Sequence, residues 1–585
     1  MNESPNFGFP CLFTIVSESG EVIFFGEEEI EDKKLINRVG AIFKSDPRIA
    51  SISIPLSKVG QDLQLVKCKT PAKSNIFVNQ DLADLVGEIP SAIFLGTEIS
   101  DWNIEATRRG LHHYSLGTKS MNLANDNLNP ELVFSTADAL GISSDLNLSE
   151  KNSPQSLRVL VDCEWIRENE TGSQVATISL ISELNNHPGI SALGLINWPN
   201  EAPNYACTIP NLAKVSIVSR AEDFPSEIFW RPYQPSMNLD FFNLAERSRR
   251  LVITLLDSIS YNNESYFNSA EDWDLYRDMF HSATTSADMV LCISEDVKNQ
   301  LALDDHGIDP RRIRVAELGT NHLENDTKDD LRENEITEFL QGRKYVLLLG
   351  SQYAHKNVNF GMKVVSEARR RGSDVTLVIV GLKIDNNDEP VGESESDWLF
   401  NLGHVDSATR NLLMKNASAV LYPTSAEGFG LVPFEAALLG TPTVATRFGP
   451  MVEVLPAAYS TKSWNLEEYV SLLILLTTSE KAATEQITHI NSISEKMTWE
   501  NSAEKLITAF ESSMTIPKNP AREVVRVINH QVTVAKKLIH DFEIDQDHLK
   551  ARLEIESKLN VELQNSFSWK ITAPIRALHK KLLGR

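Results

Sequence analysis

The sequence predicts an α/β protein with two Rossmann-like domains, preceded by a smaller α/β domain and followed by a helical tail. Three observations predict this. From about residue 157 to 515, short apolar runs that suit buried parallel strands alternate with segments of helical spacing. A stretch rich in Asn, Ser, Asp and Pro precedes this region, and a long amphipathic segment follows it. At 585 residues, the chain has room for about three or four domains.

These patterns also set the expected domain boundaries. In chain order, we expect a smaller α/β domain at 1–130, a linker at 131–156, and Rossmann-like domains at 157–335 and 336–515. An amphipathic helical tail with a basic end follows at 516–585. The tail carries apolar residues at helical spacing over Val524–Leu563, and it has no Asp or Glu from Ser566 onward. The tail therefore differs in character from the strongly acidic remainder of the chain.

Composition argues against several classes of function. The net charge of −24 and the pI of about 5.1 disfavour nucleic acid as a partner. The five cysteines are scattered without metal-ligand spacing, so we expect reduced thiols and no metal site. The opening residues lack the basic region of a signal peptide, and every apolar run is far shorter than a membrane span. We therefore predict a cytoplasmic protein.

The most informative stretch is Leu421–Pro456, where a strand, a glycine turn and a short helix are predicted in succession. Such a unit holds a phosphorylated ligand at the helix N-terminus. Glu427 before the turn and Glu435 on the helix would repel an anion, but they are good acceptors for hydroxyl groups. A nucleotide sugar combines a diphosphate with hydroxyl-rich rings and fits both features. The alternative is an ordinary strand–helix unit with two solvated carboxylates.

The same residues resemble the donor-site signature of retaining glycosyltransferases of family 4, which have the GT-B fold. The resemblance is carried by Glu427-Gly428-Phe429-Gly430-Leu431, Glu435-Ala436, Gly440-Thr441-Pro442 and Glu453-Val454. It covers roughly residues 158–513 and is closest over 345–456. It implies that 157–335 is the acceptor domain and that 336–515 is the donor domain. It implies donor-binding roles for Glu435, Gly428, Phe429, Gly430, Leu431, His355 and Ser351.

The resemblance also implies a catalytic role for Glu427 and for Lys356, the latter beside the donor diphosphate. His355 stands where the family commonly has an arginine, and Ser351 stands where some members have another. The diphosphate clamp is therefore expected to be weaker here, or to be completed from elsewhere in the chain.

The acceptor side of the cleft is implied by the resemblance at two places. Gly172, Ser173 and Gln174 follow the first strand of the acceptor domain, where family members place a glycine loop facing the cleft. A simple strand–helix turn is the alternative. Asp257 follows a later strand, and Leu256 takes the place of a histidine found in many relatives, so no histidine role is expected there.

The first domain resembles, more distantly, the second half of a family 2 glycosyltransferase of the GT-A fold. The resemblance is carried by Lys44–Ser51, Asp84–Gly87 and Trp102–Gly110. Gly26-Glu27-Glu28-Glu29 stands in place of the metal-binding Asp-x-Asp, and the nucleotide-binding first half is missing. This implies a non-catalytic remnant, with an unrelated accessory α/β domain as the alternative. In either case we expect residues 1–130 to bind no nucleotide sugar on their own.

The resemblance thus implies a metal-independent, retaining glycosyltransferase without a cofactor beyond its nucleotide-sugar co-substrate. It would move a hexose, with mannose as one candidate, to a glycan or lipid-linked oligosaccharide in bacterial envelope polysaccharide or lipopolysaccharide O-antigen synthesis. The alternative is a catalytically inactive glycan-binding or scaffold protein of the same machinery.

The tail carries two further expectations. The basic end, Trp569–Arg585, would bring the protein to the inner face of an anionic membrane as a peripheral protein. Docking of this end on an acidic protein surface is the alternative. The amphipathic segment before it is a candidate for oligomer formation.

Overall fold

A computed structural model divides the chain into two units, Met1–Arg522 and Glu523–Arg585. In the first unit it describes residues 11–17, 20–26, 33–53, 64–67, 76–78, 80–86, 97–117, 156–168, 171–235, 244–303, 308–325, 342–350, 353–381 and 398–522. In the second unit it describes residues 550, 557, 558 and 561. The linker up to residue 155, Ser351 and the basic end of the tail therefore lie outside the described residues.

The first sheet has six strands in the order β1-β2-β5-β3-β6-β4. They are β1 Cys11–Ser17, β2 Gly20–Gly26, β3 Ile49–Ser53, β4 Gln64–Lys67, β5 Ile76–Val78 and β6 His112–Gly117. The sheet is mixed, because β3 and β6 are parallel whereas the other pairs are antiparallel. The accompanying helices are α1 Lys33–Ser45, α2 Ala83–Val86 and α3 Thr97–Arg108. The chain passes from α3 into β6 through Arg109–Leu111, a connection that becomes important at the site.

The second sheet has seven parallel strands in the order β13-β12-β11-β10-β7-β8-β9. They are β7 Leu157–Asp162, β8 Ile190–Ile196, β9 Val215–Val218, β10 Ser226–Arg231, β11 Ser248–Leu255, β12 Met289–Cys292 and β13 Ile313–Val315. Helices α4 Gly172–Asn186, α5 Ala270–Ser286 and α6 Glu295–Leu303 connect them. The central strands β7, β10 and β11 are buried along most of their length, which explains their continuous apolar runs.

The third sheet has five parallel strands in the order β16-β15-β14-β17-β18. They are β14 Tyr345–Leu349, β15 Thr376–Val380, β16 Leu399–Asn401, β17 Ala419–Tyr422 and β18 Thr443–Ala445. The helices are α7 Val358–Arg370, α8 Ser407–Asn416, α9 Val432–Leu438, α10 Met451–Val454, α11 Leu466–Thr478 and α12 Glu480–Ser494. The core of this sheet contains Leu347, Val378 and Val420, which are fully buried.

The last helix, α13 Trp499–Thr515, lies within the predicted donor domain by sequence but contacts the second sheet. Ser502 Oγ donates to the carbonyl of Glu317 at 2.6 Å, and Arg250 Nε donates to the carbonyl of Ser513 at 2.7 Å. Past the helix, the N–H of Asn519 donates to the buried carboxylate of Asp288 at 2.7 Å. Residues 499–522 therefore tie the end of the first unit back to its second sheet.

Among the described residues, no helix is both long and apolar enough to cross a membrane. In the same part of the chain, no group of three or more His, Cys, Asp or Glu side chains is arranged to hold a metal ion.

Candidate functional site

The glycine turn follows β17 and leads into α9, at the carboxyl end of the third sheet. Gly430 has φ of +82°, and a Cβ there would lie 2.1 Å from Met451 Cε. A Cβ on Gly428 would lie 1.7 Å from the backbone oxygen of Leu256. The absence of side chains therefore lets the turn pack directly against the end of β11 in the second sheet.

Lys356 and Glu427 form an ion pair beside this turn. Lys356 Nζ donates to Glu427 Oε1 at 2.6 Å, although the two residues follow different strands, β14 and β17. Burial alone would raise the pKa of Glu427, but the Lys356 ammonium and a hydrogen bond from Tyr422 outweigh it and hold the pKa below its usual range. The two residues that the sequence predicts to be catalytic are thus brought together, with Glu427 ionised.

Glu435 lies in the first turn of α9 and is almost fully buried. Its Oε1 is 3.0 Å from His322 Nε2 and 3.6 Å from an Arg410 terminal nitrogen. Burial favours a higher pKa for Glu435, but Arg410 and His322 together lower it below the usual range. His322 and Arg410 carry no local signal in the sequence, because their contact with Glu435 depends on the tertiary fold.

The second sheet contributes Ser294 and Asp257 to the same place. Ser294 Oγ donates to the carbonyl of Gly428 at 2.6 Å. Burial raises the pKa of Asp257, and the nearby Glu427 carboxylate adds to the rise, against hydrogen bonds from the Ile259 N–H and Gln234. Asp257 and Glu427 both line a cavity of about 30 Å³ between the sheets. Asp257 therefore faces the predicted catalytic pair.

The predicted glycine loop of the acceptor side lies across from the donor turn. A Cβ on Gly172 would be 3.7 Å from Leu431 Cδ1. Gln174 Nε2 donates to the carbonyl of Trp165 at 2.8 Å, and its Oε1 accepts from the Thr171 N–H at 3.1 Å. Gln174 thus shapes the start of α4. An open pocket of about 470 Å³ is lined by Trp165, Arg167, Glu168, Thr171, Ser173 and Gln174.

Two predicted donor-binding residues are buried in aromatic clusters. His355 contacts the Tyr266 hydroxyl through Nδ1 and stacks on Tyr353 with ring centroids 5.7 Å apart. Burial and the neighbouring Lys356 lower the pKa of His355 to about 3. His355 is therefore neutral near pH 7 and does not supply the positive charge of the arginine it replaces. Phe429 in the turn stacks on Phe434 of α9 with ring centroids 5.7 Å apart.

The buried His355 predicts a loss of stability in acid. The unfolded chain binds a proton near pH 6.5, whereas folded His355 does so only near pH 3, so stability falls as the pH drops between these values. Between pH 7.5 and 5.0 the loss from this group should be about 2 kcal/mol. Urea unfolding at the two pH values should show a smaller loss for His355→Gln than for wild type. Equal losses of stability in the two proteins would contradict the lowered pKa of His355.

Residues 343–469 match the protein family described as Glycosyl transferases group 1. The chain therefore carries a glycosyltransferase group 1 domain. The matched residues include the strand, turn and helix that hold Lys356, Glu427 and Glu435.

Curated relatives of this chain are named as glycosyltransferases. An uncharacterised glycosyltransferase of Methanocaldococcus jannaschii is 24% identical over 197 residues, which are 32% of this chain and 47% of that protein. The alpha-1,3/1,6-mannosyltransferase ALG2 of Eremothecium gossypii is 39% identical over 66 residues, which are 11% of this chain and 13% of that protein. The chain thus spans less than half the length of these relatives.

The crystal structure of Anabaena Alr3699/HepE in complex with UDP and glucose aligns with a TM-score of 0.46 and 16% identity, over 60% of this chain and 98% of that chain.

Proposed function

We propose that the protein is a retaining glycosyltransferase that moves a hexose from a nucleotide diphosphate sugar to a glycan acceptor. The observation that carries the proposal is the Lys356–Glu427 ion pair at the carboxyl end of the third sheet, with the buried Glu435 on the helix that follows the glycine turn. The proposal includes the GT-B arrangement, with the donor held by the third sheet and the acceptor by the second. The group 1 match over 343–469 supports it.

The geometry suggests how the pair would act. A departing diphosphate needs cationic charge, and Lys356 is the cation beside the glycine turn. A bound diphosphate would compete with Glu427 for the Lys356 ammonium. The Glu427 carboxylate would then be free to accept hydrogen bonds from sugar hydroxyls. The pair therefore couples donor binding to the orientation of the sugar.

The proposal also names a donor sugar and a biosynthetic process. We propose mannose as a candidate sugar because one relative is named as a mannosyltransferase. Synthesis of bacterial envelope polysaccharide or lipopolysaccharide O-antigen is the proposed setting, with the basic tail bringing the protein to the inner face of an anionic membrane. Metal independence and cytoplasmic location belong to the same proposal.

Release of the nucleoside diphosphate tests the proposed function. Purified full-length protein is incubated with UDP-glucose or GDP-mannose, with and without an oligosaccharide acceptor, and UDP or GDP is quantified. We expect slow release from one donor through hydrolysis and faster release when an acceptor is present. Absence of release from every donor tried would contradict the proposal.

A catalytically inactive glycan-binding or scaffold protein is the second candidate. It is favoured by the open pocket of about 470 Å³, where Trp165 and the polar side chains of Glu168 and Ser173 could contact a glycan without the Lys356–Glu427 pair. Such a protein would bind glycan without releasing nucleoside diphosphate. The release assay, combined with glycan binding by the same preparation, separates the two candidates.

Replacing Glu435 with alanine should weaken nucleotide binding. If Glu435 accepts ribose hydroxyls, loss of a charged acceptor costs on the order of 1.5–3 kcal/mol, or about 10- to 150-fold in Kd. Equilibrium dialysis with UDP and GDP measures the change. The exposed Glu480 provides a matched control, and Glu480→Ala should bind as wild type does. Unchanged nucleotide binding by Glu435→Ala would contradict a donor-binding role for Glu435. Its role would then be limited to the contacts with His322 and Arg410.

A further inference from the structure

The connection between α3 and β6 of the first sheet contacts the predicted catalytic loops. A terminal nitrogen of Arg109 donates to Asn357 Oδ1 at 2.7 Å, and the Arg109 carbonyl accepts from Ser425 Oγ. Gly110 has φ of +75°, and a Cβ there would lie 2.7 Å from Ala426 Cβ. The segment therefore touches the residue after Lys356 and the two residues before Glu427.

Asn357 joins these two loops. It adopts a left-handed conformation with φ of +51° and is buried. Its Nδ2 donates to the carbonyl of Pro423 at 2.9 Å and to the Ser425 hydroxyl at 2.9 Å. Because Nδ2 bonds to the loop after β17, the Oδ1 of the same amide is left to face Arg109. Arg109 thus completes the hydrogen bonding that holds the Lys356 loop against the Glu427 loop.

The first domain also contacts helix α6 and a loop of the domain that carries the second sheet. Two terminal nitrogens of the buried Arg48 donate to the two carboxylate oxygens of Asp296, each at 2.9 Å. Asn263 Nδ2 donates to the carbonyl of Arg108 at 2.9 Å. Arg48, Gly110 and His112 line the same cavity as Asp257 and Glu427. The first domain therefore contacts both sides of the cleft at the catalytic pair.

We propose that Arg109 is a positioning residue for the Lys356–Glu427 pair, and that the first domain is an integral part of the site rather than an appended remnant. Arg109 acts through Asn357 and Ser425, which set the two loops that carry the pair. The kinetic consequence rests on the proposed function, whereas the placement of Lys356 does not. Misplacement of a catalytic group by about 1 Å costs roughly 100-fold in rate, so a large kinetic effect is expected without loss of folding.

The kinetic test compares Arg109→Ala with two matched variants in the full-length chain. Arg109→Ala should lower kcat for nucleoside diphosphate release from UDP-glucose or GDP-mannose by about 10- to 100-fold, with KM for the donor changed by less than about threefold. Arg109→Lys, which keeps a charged donor, should recover part of the rate. Arg108→Ala is the control, because the Arg108 side chain at the end of α3 is largely exposed, and Arg108 contacts Asn263 through its backbone carbonyl. Equal kcat for the Arg109→Ala and Arg108→Ala variants would overturn the proposal.

A second measurement does not depend on turnover. Lysines are acetylated with acetic anhydride under limiting conditions, and the labelling of Lys356 is measured by peptide mass spectrometry. Arg109→Ala should increase the labelling of Lys356 severalfold, because the Lys356–Glu427 pair loosens. The labelling of the exposed Lys363 should remain unchanged. Unchanged Lys356 labelling would overturn the proposal even in an active enzyme. Increased labelling with no release from wild type would support Arg109 and contradict the proposed function instead.

Discussion

Lys356→Ala should reduce sugar transfer by about 100- to 1,000-fold, the usual effect of removing one preorganised group that stabilises developing negative charge. Lys356 Nζ lies 2.6 Å from Glu427, beside the glycine turn that would receive the diphosphate. The neutral His355 beside it does not replace the charge. Initial rates of nucleoside diphosphate release, at saturating donor, measure the change.

The control for Lys356→Ala is Lys363→Ala, since Lys363 is an exposed lysine on the adjacent helix α7. This variant should retain the wild-type rate. Glu427→Gln keeps the shape of the side chain but removes its negative charge. The side chain at 427 then competes less with a bound diphosphate for the Lys356 ammonium. Glu427→Gln should lower transfer yet bind UDP or GDP at least as tightly as wild type. A fully active Lys356→Ala variant would contradict the role of the pair.

Asp162→Ala should destabilise the protein by about 3–5 kcal/mol, since it leaves the buried Arg231 guanidinium with only the longer, 3.4 Å contact to the partly exposed Glu164. Asp162 ends β7, and its Oδ2 accepts from Arg231 at the end of β10 at 2.8 Å, with both side chains only 1% exposed. Its Oδ1 also accepts from Asn197 Nδ2 at 3.0 Å. Urea unfolding at pH 7.5 measures the loss.

Two comparisons make this prediction specific. The double variant Asp162→Ala with Arg231→Met should recover much of the loss, because no buried charge remains unpaired. Asp223→Ala breaks an exposed pair with Arg220 and should leave the free energy of unfolding almost unchanged. A loss for Asp162→Ala no larger than that for Asp223→Ala would contradict the buried-pair account.

Local patterns predicted much of the second and third sheets. The apolar runs at Val215–Val218 and Thr443–Ala445 coincide with strands in the structure, because turn residues bound them closely. Strand β6 was not predicted, since His112, His113 and Tyr114 do not alternate with apolar residues. Helix α12 was also missed, because it is poor in large apolar residues and two of its four buried residues, Gln486 and Ser494, are polar.

The candidate site was predictable only in part. Glu427, Glu435 and the glycine turn lie within one local unit, so their spacing carries the signal. Arg109 contacts Asn357 from a position 248 residues away, and His322 contacts Glu435 across 113 residues. Periodicity and motif spacing contain no information about such contacts. For the same reason, the sequence could not place the first domain beside the catalytic pair.

Calorimetric titration of the full-length protein with UDP-glucose and GDP-mannose would show whether the cleft holds a nucleotide sugar. We expect saturable binding of one molecule of at least one donor per chain, weakened about tenfold or more in Lys356→Ala because a charge-assisted contact to the diphosphate is lost. The same donor should be displaced by its nucleoside diphosphate. Absence of binding to either donor by wild type, or equal binding by wild type and Lys356→Ala, would contradict the claim that this cleft is a nucleotide-sugar site.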